Sequence, residues 1–255
     1  MIHFSKPGLV VYLTVGDPDL ATSRAVILAA IDAGADVIEL GVPYSDPLAD
    51  GPVIQRASER AVANGTSLKD VLHLATDIRK QRPHTGLIIF SYLNPIVRYG
   101  MERFAKDAKV AGVDGALLTD LTVEESDDYR AIMQRHGLAT VFLAAPTSPD
   151  ARLKKITQAS TGFVYAVSRT GVTGAQSADL KGEAAQLVKR IKKFTKLPVA
   201  VGFGISKQEH FRAVGNFADA AVVGSAIVGI MEAQATKGDA AEAVAKWIKA
   251  LLAGA

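Results

Sequence analysis

Short apolar runs alternate with helical stretches along the whole chain. Eight runs of four to six residues, rich in Val, Ile, Leu and Ala, are almost continuously apolar, and this predicts β-strands buried on both faces. They lie at 9–13, 36–40, 87–91, 115–118, 140–144, 162–166, 198–201 and 218–223. Between them, apolar residues recur at spacings of three and four, which predicts helices at 21–33, 67–79, 124–135, 180–193, 226–236 and 240–252.

This alternation favours a parallel sheet, because helical crossovers connect parallel strands. A weak repeat supports the same reading: AGADVIEL at 33–40 resembles AGVDGALL at 111–118. We therefore expect an α/β fold in which residues 1–255 form one domain, a single (β/α)8 TIM barrel. An open doubly wound sheet is the alternative. No GxGxxG motif follows the first strand, which argues against an open sheet that binds a dinucleotide.

Composition narrows the class of protein further. The chain has 255 residues, a typical length for one barrel, and 49% of them are hydrophobic. The net charge is only +3 and the basic residues are scattered over predicted helices, so we expect no nucleic acid partner. Cysteine is absent, which excludes disulfides and fits a reducing compartment. No apolar run is long enough for a membrane span or a signal peptide, and we expect a cytoplasmic protein that binds no membrane.

The stretch DVIELGVPYSDPLADGP, at 36–52, is the strongest candidate for chemistry. Glu39 lies in an apolar strand, where an unpaired carboxylate is costly unless it faces a polar cavity or a partner. Asp46 and Asp50 follow in a loop stiffened by three prolines. Two acids in unlike surroundings can act as acid and base at one pH. The simpler alternative for Glu39 is a structural ion pair.

Glycine-rich turns after the last two predicted strands point to a phosphate site. One reads Gly202-Phe203-Gly204, and the other reads Gly224-Ser225 at the start of a helix. The first amides of a helix are free donors, and in (β/α)8 barrels these two loops frequently bind phosphate. The glycine-rich loop at 171–174 could add a third wall and close as a lid. Tight turns and an ordinary mobile loop are the alternatives.

In its motifs the chain resembles the tryptophan synthase alpha subunit family. The resemblance runs from the first strand to the last helix through LTVGDP, ELGVPYSDPLADGP, SYLNP, VDGALLTDL, SRTGVTG, GFGIS and GSAIV. It implies a carbon-carbon lyase that cleaves indole-3-glycerol phosphate into indole and glyceraldehyde 3-phosphate, without metal or Schiff base. It also implies no cofactor in this chain and a pyridoxal-phosphate beta subunit as partner, in an alpha-beta-beta-alpha heterotetramer.

The same resemblance assigns roles to individual residues. Catalysis would rest on Glu39 and Asp50, with help from Tyr165. The substrate phosphate would bind Gly174, Phe203, Gly204, Gly224 and Ser225. Tyr12, Phe90 and Leu117 would line an indole pocket, although ordinary barrel core explains those three equally well. Asp46, Asn94, Pro95 and Asp120 would face the beta subunit.

Two departures from the family pattern leave other functions open. The family usually has a helix before its first strand, where this chain has only residues 1–8, and we expect this to reduce stability. Thr119 and Thr122 replace prolines that usually flank Asp120. The alternatives are a regulatory partner of the beta subunit with little turnover of its own, and a stand-alone barrel enzyme, whether it releases indole or acts on another phosphorylated compound.

Overall fold

Eight parallel strands close into a barrel in chain order. The computed structural model describes residues 2–5, 7–167, 177–202, 204–235 and 238–253. The strands are β1 Gly8–Thr14, β2 Val37–Gly41, β3 Gly86–Ser91, β4 Gly115–Leu118, β5 Ala139–Ala144, β6 Val164–Val167, β7 Val199–Gly202 and β8 Ala220–Val223. Every predicted strand is present, and its ends lie within two residues of the prediction. The predicted single (β/α)8 barrel is confirmed, and the open sheet is excluded because β8 pairs with β1.

Helices surround the barrel and connect its strands. Within the described ranges they are α1 Leu20–Asp32, α2 Pro52–Ala63, α3 Leu68–Gln81, α4 Leu93–Tyr99, α5 Met101–Val110, α6 Asp127–Arg135, α7 Asp150–Ala159, α8 Ser177–Ile191, α9 Gln208–Gly215, α10 Ser225–Gln234 and α11 Ala240–Leu252. All six predicted helices are found. The helix predicted at 124–135 is split, because a 3-10 turn at Val123–Glu125 ends at buried Ser126, whose hydroxyl donates to the Val123 carbonyl at 2.9 Å.

Five helices were not predicted: α2, α4, α5, α7 and α9. The helix α2 is an example. It starts at Pro52, directly behind the proline-rich loop, and buries the small side chains of Ala57, Ser58 and Ala61, although its apolar residues recur at helical spacing. None of the helices within the described ranges is long and apolar enough to cross a lipid bilayer.

The strands bury two apolar layers. Side chains that point outward, such as Val11, Ile38 and Ile89, pack beneath the helices. Side chains that point inward fill the barrel: Val10, Val37, Ile88, Leu117, Val141, Phe163, Ala200, Ala220 and Val222. Because inward and outward positions alternate, a strand that reads as continuously apolar is buried on both faces. The inward-facing side chains therefore fill the barrel interior, and a cavity opens near the carboxyl ends of the strands.

At the amino end of the barrel, three aspartates join neighbouring strands. Each directly precedes an even-numbered strand: Asp36 before β2, Asp114 before β4 and Asp219 before β8. Their carboxylates accept the backbone N–H of Leu9 at 2.7 Å, Leu87 at 2.9 Å and Val199 at 2.8 Å on the preceding strand. The repeat noticed in the sequence therefore has a structural basis: each aspartate satisfies a backbone donor where a strand begins.

Residues 2–5 cover the same end of the barrel. Ile2 and Phe4 pack against the interior cluster, and the Phe4 and Phe163 rings meet edge to face with centroids 5.7 Å apart. Phe4 fits because Gly8 has no side chain; a Cβ there would lie 2.7 Å from the Phe4 ring. This short segment occupies the amino end of the barrel, ahead of the first strand.

Candidate active site

A cavity of about 420 Å³ opens at the carboxyl ends of the strands. Its floor and walls come from inward-facing strand residues, namely Tyr12, Glu39, Phe90, Leu143, Tyr165, Gly202 and Val222. Loops and helix starts complete it: residues 49–54, Thr119, and the two glycine turns that hold Gly204 and Gly224. The residues that line the cavity come from several different βα units, as is usual for the active site of a barrel.

Glu39 is the buried acid of this cavity. It lies on β2 between Tyr12 of β1 and Ile88 of β3 in the strand register, and it is 0% exposed. Neither of its carboxyl oxygens has a hydrogen-bond partner within the described residues. Burial raises the pKa of Glu39 to about 8, because a charge without solvent or a partner is unfavourable. Glu39 is therefore mostly protonated at neutral pH, and the alternative of a structural ion pair is excluded for the described part of the chain.

Asp50 is the second acid, and it comes from the loop between β2 and α2. A turn in which the Asp50 N–H donates to the Pro47 carbonyl at 3.0 Å shapes this loop. Pro52 then starts α2 directly behind it, at a position where its missing N–H costs nothing. Burial raises the pKa of Asp50 to about 6, while a hydrogen bond from Tyr92 lowers it. Asp50 is therefore mostly ionised at neutral pH, unlike Glu39.

Tyr92 is a site residue that the sequence analysis missed. Its hydroxyl donates to Asp50 Oδ2 at 3.0 Å and accepts the backbone N–H of Ala49 at 2.9 Å. Its ring packs against Tyr44 with centroids 5.2 Å apart. The SYLNP motif contains this tyrosine, but nothing in the sequence indicates that it contacts a residue on the preceding loop.

Two tyrosines among the predicted site residues, Tyr12 and Tyr165, face the cavity. Tyr165 packs over Gly202, where a Cβ would come within 2.6 Å of the phenol oxygen. Burial, followed by the charge of Glu39, raises the pKa of Tyr165 well above its usual value. Tyr12 shares a hydrogen bond of 3.2 Å with the Thr14 hydroxyl and meets the Phe90 ring edge to face at 4.9 Å. Tyr12 and Phe90 thus form an aromatic wall, as the predicted indole pocket requires.

Leu117 takes a different place from these two residues. It is fully buried in the interior cluster below the cavity and does not line it. Thr119, two residues further along the same strand direction, forms the wall instead, because side chains two apart point to the same face. Of the two readings of Leu117, the structure favours barrel core.

The predicted phosphate residues are divided between described and undescribed parts of the chain. Gly204, Gly224 and Ser225 line the cavity, whereas Gly174, the possible lid at 171–174 and Phe203 lie outside the described residues. Ser225 is the first residue of α10, so the unpaired amides at this helix start lie beside the cavity. Gly204 has φ of 59°, a conformation that favours glycine.

The predicted partner residues lie outside the cavity at the same end of the barrel, with Asp46 and Asp120 on loops and Asn94 and Pro95 in the first turn of α4. Asp46 is exposed, and Asn94 and Pro95 line a groove with Tyr44. Asp120 accepts the backbone N–H of Leu93 at 2.7 Å, which joins the loops after β3 and β4. Leu48, between Asp46 and Asp50, is 92% exposed.

The closed barrel, with two acids in a cavity at the carboxyl ends of its strands, has the construction of a (β/α)8-barrel enzyme. Comparison with known proteins names the family. The family profile "Tryptophan synthase alpha chain" matches residues 3–252. The tryptophan synthase alpha chain of Solibacter usitatus is 51% identical over 231 residues, which cover 91% of this chain and 86% of that protein. The alpha chain of Geobacter sulfurreducens is 46% identical and covers 98% of this chain and 93% of its own length.

Solved structures agree with the sequence comparison. An alpha-subunit variant from Pyrococcus furiosus has a TM-score of 0.89 and 40% identity, covering 98% of this chain and 100% of its own. A chain of the tryptophan synthase complex from the same organism has a TM-score of 0.88 and 38% identity, covering 98% and 100%. This chain therefore belongs to the tryptophan synthase alpha chain family, a family of lyases in tryptophan biosynthesis.

Proposed function

We propose that this chain cleaves indole-3-glycerol phosphate by a retro-aldol reaction into indole and glyceraldehyde 3-phosphate. The single observation that carries the proposal is the pairing of unlike acids in one cavity: Glu39 with a pKa of about 8 and Asp50 with a pKa of about 6. Between these two values, one carboxyl group holds a proton and the other holds a charge. A reaction that needs both an acid and an anion finds both near neutral pH.

Glu39 would supply the proton that breaks the carbon-carbon bond. Its carboxyl group protonates C3 of the indole, and the hydroxyl beside the scissile bond gives its proton back to the resulting Glu39 carboxylate. The electrons of the broken bond return to the indole ring, and the hydroxyl carbon becomes the aldehyde. Glu39 ends the cycle protonated, so no external acid or base is consumed.

Asp50 would stabilise the charge that develops on the ring. Protonation at C3 leaves positive charge on the indole N–H, and an ionised carboxylate that accepts this N–H favours the intermediate. Tyr92 holds the carboxylate through its 3.0 Å hydrogen bond. Tyr165, beside Glu39 on the cavity wall, would support the glutamate, and the aromatic wall of Tyr12 and Phe90 would hold the indole ring.

The start of α10 would bind the phosphate end of the substrate. Ser225 and Gly224 present the helix amides, and Gly204 lies on the neighbouring turn. A dianion at the positive end of a helix dipole is favoured without any charged side chain. We extend the proposal to Gly174 and Phe203 on the family resemblance alone.

The partner in this proposal is a tryptophan synthase beta subunit, which would carry the pyridoxal phosphate. Asp46, Asn94, Pro95 and Asp120 would meet it, and exposed Leu48 would add an apolar contact. The chain itself would need no cofactor. A cytoplasmic location belongs to the same proposal and follows from the expected metabolic role.

The test is an indole-release assay on the purified chain, with and without purified beta subunit. We expect indole from the chain alone and a higher rate when beta subunit is added. Release that does not change with excess beta subunit would indicate a stand-alone enzyme. Absence of release under both conditions, from a protein that still binds the beta subunit, would indicate the regulatory alternative.

A further inference from the structure

The helix α2 reaches from one end of the proposed substrate site to a group of charges outside it. Its N-terminus follows Asp50, and Val53 and Ile54 line the cavity. One turn later Ala57 packs against Tyr12 and Val228 of α10. Arg60 follows on the same side of the helix, since residues three and four apart are neighbours. Ala57 therefore contacts α10, and the charged side chain of Arg60 lies one turn further along the same side of α2.

Arg60 joins three elements through one guanidinium group. Its Nε and Nη2 bind the two carboxylate oxygens of Asp17 at 2.7 and 2.9 Å, and its Nη1 binds Glu232 Oε1 at 2.8 Å. Asp17 belongs to the loop after β1 and is only 1% exposed, whereas Glu232 lies on α10. A planar fork that binds a carboxylate with two parallel bonds fixes orientation as well as distance.

Arg56, one turn earlier on α2, completes the network. Its Nε and Nη2 bind Glu232 at 2.9 and 2.7 Å. Hydrogen bonds from Arg56, and then from Arg60, lower the pKa of Glu232 to about 2. Glu232 therefore remains charged at any pH at which the enzyme would work, and α2 and α10 stay linked.

These contacts connect the two ends of the site. Asp50 precedes α2 by two residues, and the start of α10 faces the same cavity through Ser225. Between the helices lies Tyr12, whose ring is 3.3 Å from the position of a Cβ at Gly224. A shift of α2 along α10 would change the distance from Asp50 to the helix amides.

We propose that Arg60 is a positioning residue: by holding α2 to both Asp17 and Glu232, it fixes the separation between the acid that accepts the indole N–H and the phosphate-binding start of α10. This inference rests on the proposed function. A substrate that must touch both ends senses that separation, and a displacement of about 1 Å can lower the rate by about 100-fold. A ligand that touches only one end does not sense it.

The experiment compares two ligands on the purified full chain. One is inorganic phosphate, and the other is an indole joined to phosphate through three carbons, which spans both ends but lacks the hydroxyl needed for cleavage. The variants are Glu232→Gln, which removes the negative charge on α10 that binds Arg56 and Arg60 but leaves the Arg60–Asp17 pair, and Arg60→Met, which removes both contacts of Arg60. Arg60→Met leaves buried Asp17 without its partner and could fail to fold, whereas Glu232 is about one-third exposed, at 32%, and its replacement should be tolerated.

The matched control is Arg82→Met. Arg82 binds both oxygens of Asp32 at 2.7 Å, the same kind of paired contact, but before β3 at the amino end of the barrel. We expect Glu232→Gln to weaken the spanning ligand roughly 10-fold and to change phosphate binding less than about 2-fold. Arg60→Lys should recover part of the loss in Arg60→Met, and Arg82→Met should bind both ligands like the wild type.

Other results would overturn the inference. Equal loss of both ligands would mean general damage to the fold, and unchanged binding of both would mean that the charges do not set the separation. If the wild type releases indole, either result contradicts only the positioning role of Arg60 and leaves the proposed function standing. A wild type that binds the spanning ligand no better than phosphate and releases no indole would instead contradict the proposed function.

Discussion

Tyr92 and Asp50 are 42 positions apart in the chain and are joined by a hydrogen bond of 3.0 Å, in which the phenol donates to the carboxylate. Because Tyr92 also accepts the Ala49 N–H, the loop after β3 holds the loop after β2 at the acid itself. Asp50 is thereby kept in one orientation and more acidic than burial alone would leave it. Both effects favour its proposed role as the acceptor of the indole N–H.

Tyr92→Phe should narrow the pH range of activity. The hydrogen bond that lowers the pKa of Asp50 is lost, so this pKa rises above about 6. A hydrogen bond to a charged group is worth about 1.5–3 kcal/mol, so the acid limb of kcat/KM should move up by about one to two pH units. Activity at pH 6.5 should fall about 10-fold and recover partly near pH 7.5. The measurement is a pH profile of indole release.

The control for this prediction is Tyr99→Phe. Tyr99 donates to Asp107 at 2.7 Å, a similar bond between α4 and α5 that lies away from the cavity. Its loss should leave the acid limb where it is in the wild type. An identical acid limb in Tyr92→Phe and the wild type would show that the phenol does not control the ionisation of Asp50.

Glu39→Gln separates catalysis from stability. Turnover should fall by about 100-fold or more, the scale of lost general acid-base catalysis. The stability of the variant relative to the wild type should instead rise with pH, because the pKa of Glu39 in the folded protein, about 8, lies above its usual value of 4.5. Between these values the unfolded wild type releases a proton that the folded wild type keeps, so wild-type stability falls as pH rises. Glutamine has no such dependence.

The size of the effect follows from the pKa shift. Relative to the wild type, the variant should gain roughly 3 kcal/mol in the free energy of unfolding between pH 5.5 and pH 8.5. Urea denaturation at both pH values measures this difference. A difference between variant and wild type that stays constant with pH would mean that Glu39 titrates normally and is not the acid proposed here.

Local patterns were enough to predict the barrel, because its strands are buried on both faces and read as continuous apolar runs. The helix α2 was missed even though Val53, Ala57 and Ala61 recur at helical spacing. The bounds of α2 matter for function, since this helix carries both cavity residues and Arg60.

The residues of the site were likewise predictable only where they lie close together in the sequence. Glu39 and Asp50 belong to one short motif and could be proposed from their unlike surroundings. The hydrogen bonds of Arg60 to Asp17 and Glu232 span 43 and 172 positions, and no local pattern encodes pairs so far apart. Leu117 illustrates an ambiguity of another kind: its apolar character fits a ligand pocket and a core equally, and only the layering of the barrel distinguishes them.

Asp114→Ala should destabilise the protein without affecting catalysis. Asp114 accepts the Leu87 N–H at 2.9 Å and binds Arg79 at 2.7 Å, at the end of the barrel opposite the cavity. Removing the carboxylate leaves a backbone donor without its acceptor, at a cost of about 1–3 kcal/mol. Thermal unfolding measures the loss. Asp77→Ala, which removes an exposed acid within α3, is the control and should change the melting temperature little. Equal melting temperatures for both variants would contradict the role of Asp114.

Phe4→Ala tests whether residues 2–5 close the amino end of the barrel. Phe4 is half-buried against Phe163 and the interior cluster, so its truncation should cost about 1–3 kcal/mol, less than for a fully buried phenylalanine. Indole release at 25 °C should be unchanged, because the cavity lies at the other end. Val110→Ala, at a side chain that is 79% exposed, is the matched control and should cost little. If Phe4→Ala unfolds at the same temperature as the wild type, the segment adds nothing to stability, and the interior must be closed by the strand residues alone.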